Sequence, residues 1–163
     1  MSIAPRDEPE ASEILAIKEE SEALDAPEII QPDGWASPRG YTNGAIATGK
    51  VVTLAGQVGW NPETSTFISD DFAVQARQIF HNIVALLLAA GARPHDLVRL
   101  TWFIVDRDEY VAARKEVGAA YREIIGAHYP PMSVVFVSGL LEDRARLEIE
   151  ATAVIPITVA DNR

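Results

Sequence analysis

Between residues 72 and 90 apolar side chains recur at three- and four-residue intervals: Phe72, Ala76, Ile79, Phe80, Ile83, Leu86, Leu87 and Ala90. That period traces one face of an α-helix and predicts a helix over this stretch. Asp70 or Asp71 stands in front as an acceptor for its first free amides, and Gly91 follows as a stop. A second stripe, Tyr110, Val111, Val117, Tyr121, Ile124 and Ile125, predicts another helix, capped by Asp108 and ended at Gly126. Elsewhere the period falls to two. Residues 97–105, 132–137 and 146–155 read as strands, as do two shorter runs at 45–48 and 51–55. Gly49-Lys50 joins the short pair as a hairpin turn with glycine at its first position. Residues 56–67 form a loop cornered at Asn61-Pro62. The expected order is β-β-α-β-α-β-β, an α+β domain over residues 41–156 with two helices on one face of a sheet.

Strand alternation makes a further point. Leu100, Trp102 and Ile104 fall on one face, and Thr101, Phe103 and Val105 on the other. Val134 and Phe136 likewise oppose Val135 and Val137. Two helices cover only one face, and an antiparallel sheet that wets its second face shows polar residues there. Leaving several large side chains in water would cost several kcal/mol at roughly 25 cal/mol per Å². Another copy of the same sheet is the simplest cover, so an oligomer is expected.

Charge divides the chain unevenly. Residues 1–33 hold ten acids against Arg6 and Lys18, a net of −8, whereas the whole chain of 163 residues carries −10. Pro5, Pro9, Pro27, Pro32 and Pro38 punctuate this region, so residues 1–40 read as an acidic arm, either solvated or helical in part. Residues 9–24 could form a helix with Ile14, Ile17 and Leu24 on one stripe, a candidate for docking on a partner protein. Residues 157–163 read as a short tail. The acidic balance argues against nucleic acid and anionic membranes as partners. No stretch of about 18 uninterrupted apolar residues occurs, and with no Cys in the chain a cytoplasmic location is the expectation.

Familiar chemical signatures are missing. Val137-Ser138-Gly139-Leu140 lacks the first glycine of a nucleophile elbow, and Thr48-Gly49-Lys50-Val51 lacks the rest of a phosphate loop. His81, His95 and His128 do not have the spacing of a zinc site. No metal and no cofactor is expected, and each histidine reads as structural or superficial, with His128 the one placed before a strand.

Several strings in order do carry a resemblance: Leu54-Ala55-Gly56-Gln57, Gln75-Ala76-Arg77-Gln78 with Asn82-Ile83, and Ala89-Ala90-Gly91. They continue through residues 101–106, Tyr129-Pro130, and Leu147-Glu148-Ile149-Glu150-Ala151-Thr152-Ala153. Together they resemble the Rid family of enamine and imine deaminases. The resemblance implies a chorismate-mutase-like α+β fold, a homotrimer whose sheets face inward, and a small-molecule cleft at each subunit interface. It implies hydrolysis of enamines or imines such as 2-aminoacrylate to ketoacids and ammonia.

Residue by residue, the resemblance assigns the water-positioning glutamate to Glu148. It assigns cleft-lining positions to Tyr41, Ala55 and Gly56, and a strand of amide donors to Met132, Ser133 and Val134. The family's carboxylate-gripping arginine falls on Met132, whose thioether cannot make a bidentate pair with a carboxylate. Three readings follow. One is a divergent deaminase, with Arg39, Arg144 or Arg146 as the replacement cation and a substrate like 2-aminomuconate. Another is a hydrolase of the same fold acting on a different bond. The third is a non-catalytic trimer that binds a small ligand or a protein.

Overall fold

The computed structural model describes residues 26–157. The candidate helix over residues 9–24 and the last six residues lie outside the described ones.

A four-stranded mixed sheet forms the frame. Its strands are β3 (Lys50–Val58), β8 (Leu147–Ile155), β6 (Leu97–Ile104) and β7 (Met132–Phe136), side by side in that order. β8 runs antiparallel to both of its neighbours, and β7 is parallel to β6. Two helices, α1 (Phe72–Ala89) and α2 (Arg107–Ile124), lie on one face. The parallel pair needs a crossover between its strands, and α2 is that crossover. Two small ribbons complete the fold: β1 (Glu28–Ile30) with β2 (Gly44–Ile46), and β4 (Trp60–Asn61) with β5 (Thr66–Phe67).

The helix stripes meet the strands where the periods predict. Ala76, Ile79, Phe80, Ile83 and Leu87 of α1 are buried against Leu100, Trp102 and Ile104 of β6 and Leu147, Ile149 and Ala151 of β8. Phe80 sits edge-on between Trp102 and Tyr121, with ring centroids 5.7 and 5.4 Å away. The 18 residues of α1 are apolar enough by composition to cross a membrane, but half of its face is this core. Both expected stripes are wider than the buried ones: Leu86 is 39% and Val111 44% exposed.

Caps and connections refine the expected elements. Asp71 accepts from the amide of Val74 at 2.9 Å and starts α1, and Gly91 takes a positive φ of 78° just past its end. For α2 the cap is Asp106 instead of Asp108. The Asp106 carboxylate takes the amides of Asp108 and Glu109 at 2.8 and 2.9 Å, which leaves Asp108 in the first turn. The expected hairpin at Gly49-Lys50 does not form. β2 pairs with β1, and β3 runs its length along β8, where Val52 and Leu54 reach the core. Gly49 lies so close to the Ile155 carbonyl that a Cβ would overlap it.

β3 also extends beyond its expected end. Leu54 faces Ala151 and Gln57 faces Ile149, so Ala55 and Gly56 together oppose the single Glu150. This is a β-bulge, which re-aims the strand locally. Behind it, Gln75 of α1 is fully buried and bonds three backbone groups: the carbonyls of Ser69 and Arg144 and the amide of Arg146, each at 2.9 Å. It clamps the chain entering β8 to the helix.

The sheet's second face is less apolar than alternation in β6 and β7 suggests. Phe103 and Val135 point there, but the central strand contributes Glu148, Glu150 and Thr152 in register with Phe103, Thr101 and Arg99. An apolar patch therefore borders a polar stripe.

Candidate functional site

Glu148 projects from the middle of β8 onto the open face and is half-buried. Its carboxylate lies against Gly56 in the bulge. A Cβ at residue 56 would overlap the carboxylate, so glycine is the residue that permits this approach. Ala55 adjoins on the same bulge, exposed. Three expected site residues, Glu148, Gly56 and Ala55, thus come together. Beside them a depression of about 270 Å³ is lined by Thr53, Arg99, Thr101, Glu150 and Thr152. Thr101 is buried there, and its hydroxyl has no hydrogen-bond partner.

The other four expected residues lie elsewhere. Alternation along β7 turns Met132 and Val134 toward the helices and Ser133 toward the open face. Tyr41 is 44% exposed, next to Thr42, which bridges to Pro131 at the start of β7. Val135, not Met132, shares a face with Glu148, two strands away through Phe103, or roughly 10 Å at the usual strand spacing. Within one chain the Glu148 cluster and the Met132 strand therefore do not converge.

Met132 and Val134 instead wall a groove of about 320 Å³ between β7 and α2. Tyr110, Arg114, Gly118 and Arg122 form its helical wall, and Trp102, Tyr121, Tyr129 and Gly40 close it. Apart from Met132 and Val134, none of the groove's residues is expected as functional from the sequence. The signal was present in the four-residue spacing of 110, 114, 118 and 122, which aligns them on one flank of α2, but their polar character reads as an exposed helix surface.

Hydrogen bonds hold this wall in place. Tyr121 donates its hydroxyl to the His128 carbonyl at 2.8 Å, and its ring stacks on Tyr129 at 5.4 Å. Burial, and secondarily Tyr129, pushes the Tyr121 phenol far above its ordinary value. The His128 ring nitrogen Nε2 meets the Leu97 carbonyl at 2.7 Å, so this histidine ties the chain before β7 to β6. Among the described residues no group of three His, Asp or Glu is placed to hold a metal.

The three cations expected to stand in for the missing arginine do not line the groove. Arg144 pairs with Asp70 at 2.9 Å and lies over the Phe67 ring. Arg146 approaches Glu109 at 3.6 Å. Arg39 is exposed, one residue before Gly40.

Comparison with known proteins agrees with this architecture. The profile of the Endoribonuclease L-PSP family matches residues 35–155. A Rid-family protein of Yersinia pestis, itself of unknown function, superposes with a TM-score of 0.69 at 29% identity, over 80% of this chain and 99% of its own. The chain belongs to the Rid family. Its fold is accordingly the chorismate-mutase-like α+β arrangement expected from the sequence. A RutC family protein of Pyrococcus horikoshii is 32% identical over 77% of this chain and 96% of its own. The 2-iminobutanoate/2-iminopropanoate deaminase of Escherichia coli is 34% identical over 70% of this chain and 86% of its own.

Proposed function

We propose that this Rid-family protein is a cytoplasmic homotrimer that hydrolyses a small imine or enamine in a cleft shared between copies. The observation that carries the reading is the Glu148 carboxylate seated on Gly56, an approach that any larger residue at position 56 would prevent. The likeness to a 2-iminobutanoate/2-iminopropanoate deaminase supports the reaction class. A carboxylate on a sheet face next to bare backbone can hold a water molecule and take its proton.

In the proposed reaction water adds to the imine carbon. Glu148 accepts the water proton as the C–O bond forms, and the C=N double bond becomes single. With the imine nitrogen protonated, addition gives a neutral carbinolamine. Glu148 then passes its proton to nitrogen, the C–N bond breaks, the hydroxyl proton goes to the carboxylate, and ketone and ammonia leave. An enamine first takes a proton at carbon to become the imine. Because Glu148 and the Met132 strand stay apart within one chain, the cleft requires a second copy, in which the β7 edge of one protomer faces the bulge of another. Tyr41, Ala55, Ser133 and Val134 would line it.

Met132 favours a substrate other than 2-aminoacrylate, whose only carboxylate sits beside the reacting carbon. It fits one with a second carboxylate for another cation to hold, as in 2-aminomuconate, which bears one beside that carbon and one at the far end of its diene. The test follows ammonia release from each compound, generated enzymatically in the presence of the protein. The expected result is release from the longer substrate, reduced about 100-fold or more in Glu148→Gln. Unchanged release in that variant, or release from neither compound, overturns the reading; the second result would leave a binding protein.

A further inference from the structure

The groove under α2 has the makings of a binding site in its own right. Its walls are aromatic: Trp102, Tyr110, Tyr121 and Tyr129 all contribute. Flat walls of this kind select flat ligands. Its charged groups are two guanidiniums, those of Arg114 and Arg122. Neither belongs to any ion pair or side-chain hydrogen bond among the described residues. In a chain of net charge −10 with acids abundant on the surface, two uncommitted arginines converging on one apolar groove call for an anion.

Two details suggest that the groove is built and not incidental. Gly118 stands in the interior of α2, where glycine costs roughly 0.5–1 kcal/mol relative to alanine, and it lines the groove opposite β7. The Arg122 guanidinium folds back over it, 3.6 Å from where a Cβ would be. A side chain there would occupy the groove. The second detail is Trp102, only 5% exposed, whose indole N–H is buried without a hydrogen-bond partner. Buried donors are nearly always satisfied, so one left open in the wall is a site for an acceptor that the protein does not supply.

We propose that this groove binds a small flat carboxylate, an aromatic or conjugated acid, with Arg114 and Arg122 holding the anionic end and the aromatic rings sandwiching the rest. Guanidinium–carboxylate pairing supplies orientation as well as affinity. The volume of about 320 Å³ is at the small end of ligand pockets, which limits the ligand to about one ring or a short diene. Met132 and Val134 belong to the same groove, so on the reading of Glu148 given above, Arg114 and Arg122 would supply from α2 the charge that residue 132 does not. The binding itself rests on the groove alone.

Benzoate and sorbate serve as probes, with benzamide as the neutral counterpart of benzoate, titrated calorimetrically into the full-length protein. Both acids should bind about tenfold or more tightly than benzamide, and rising salt should weaken the acids alone. Arg114→Gln and Arg122→Gln should each reduce benzoate affinity about tenfold, and the double variant should abolish it. Gly118→Leu keeps both guanidiniums, improves the helix, and should block all three compounds by filling the groove. Equal binding of benzoate and benzamide, or benzoate binding unchanged in either the double arginine variant or Gly118→Leu, overturns the proposal. Ammonia release keeps the two readings apart. Glu148-dependent release with arginine-insensitive benzoate binding sinks the groove and leaves the deaminase, and the converse sinks the deaminase and leaves the groove.

Discussion

Gln75→Leu offers the most direct check on how the site is supported. The side chain is fully buried and answers three backbone groups, two carbonyls and one amide, in the segments that lead into α1 and β8. Leucine matches its volume and removes every one of those bonds. A buried backbone group left without a partner costs about 1–3 kcal/mol. These three are only part-buried, so water can partly reach them and the lower figure applies, about 3 kcal/mol in sum. The added apolar surface returns roughly 1 kcal/mol. The expected loss is therefore about 2 kcal/mol, a sizeable share of a typical stability of about 5–15 kcal/mol. Urea titration at one fixed protomer concentration measures it, because an oligomer's apparent stability depends on concentration. The midpoint should fall with the m-value unchanged, and the melting temperature should drop by about 4–8 °C. Gln78→Leu is the control. Its amide reaches only Asn82 on the same helix, so it should stay within about 1 kcal/mol of the parent. A Gln75→Leu protein within about 0.5 kcal/mol of the parent would refute the clamp.

Gly56→Ala places a methyl group on the Glu148 carboxylate; ammonia release should fall about tenfold or more from a misplaced base, while the urea midpoint moves little because the bulge is exposed, and full activity would separate Glu148 from Gly56. Tyr121 makes stability sensitive to alkali. Its folded pKa is raised by burial, so the stability it contributes is fully present below the unfolded phenol value of about 10 and is lost as the pH rises beyond it. Tyr121→Phe should flatten the alkaline limb of the stability profile, and an unaltered limb would show that another group controls it.

The core elements were legible because one physical rule governed each. Ile79, Ile83 and Leu87 repeat at helical spacing and are buried in α1; Asp71 and Gly91 mark its ends. Alternation placed Glu148 on the face opposite Ile149, and the structure keeps it there. What was not legible depended on partners distant in sequence. Residues 44–46 carry the same strand pattern whether they pair with β3 or with β1, and the partner they take, residues 28–30, lies in the stretch expected to be an arm. The cap of α2 is Asp106 and not Asp108, a distinction the sequence leaves open because the two are chemically alike. The groove was hidden for another reason: Tyr110, Arg114, Gly118 and Arg122 look like a solvated helix flank until β7 is laid alongside as a parallel strand.

The bulge in β3 has a consequence for chain length. Because Ala55 and Gly56 share one partner, Gln57 pairs with Ile149 and Val58 with Glu148 although the strand has gained a residue over its neighbour. Shortening this segment by one residue would leave those pairs in place and make the ladder regular, and the bend that brings the Gly56 backbone against the Glu148 carboxylate would be lost. The seat of Glu148 is therefore fixed by the number of residues in the strand as much as by their identity. A deletion that removes the bulge and a substitution that adds a side chain at Gly56 are two routes to the same loss.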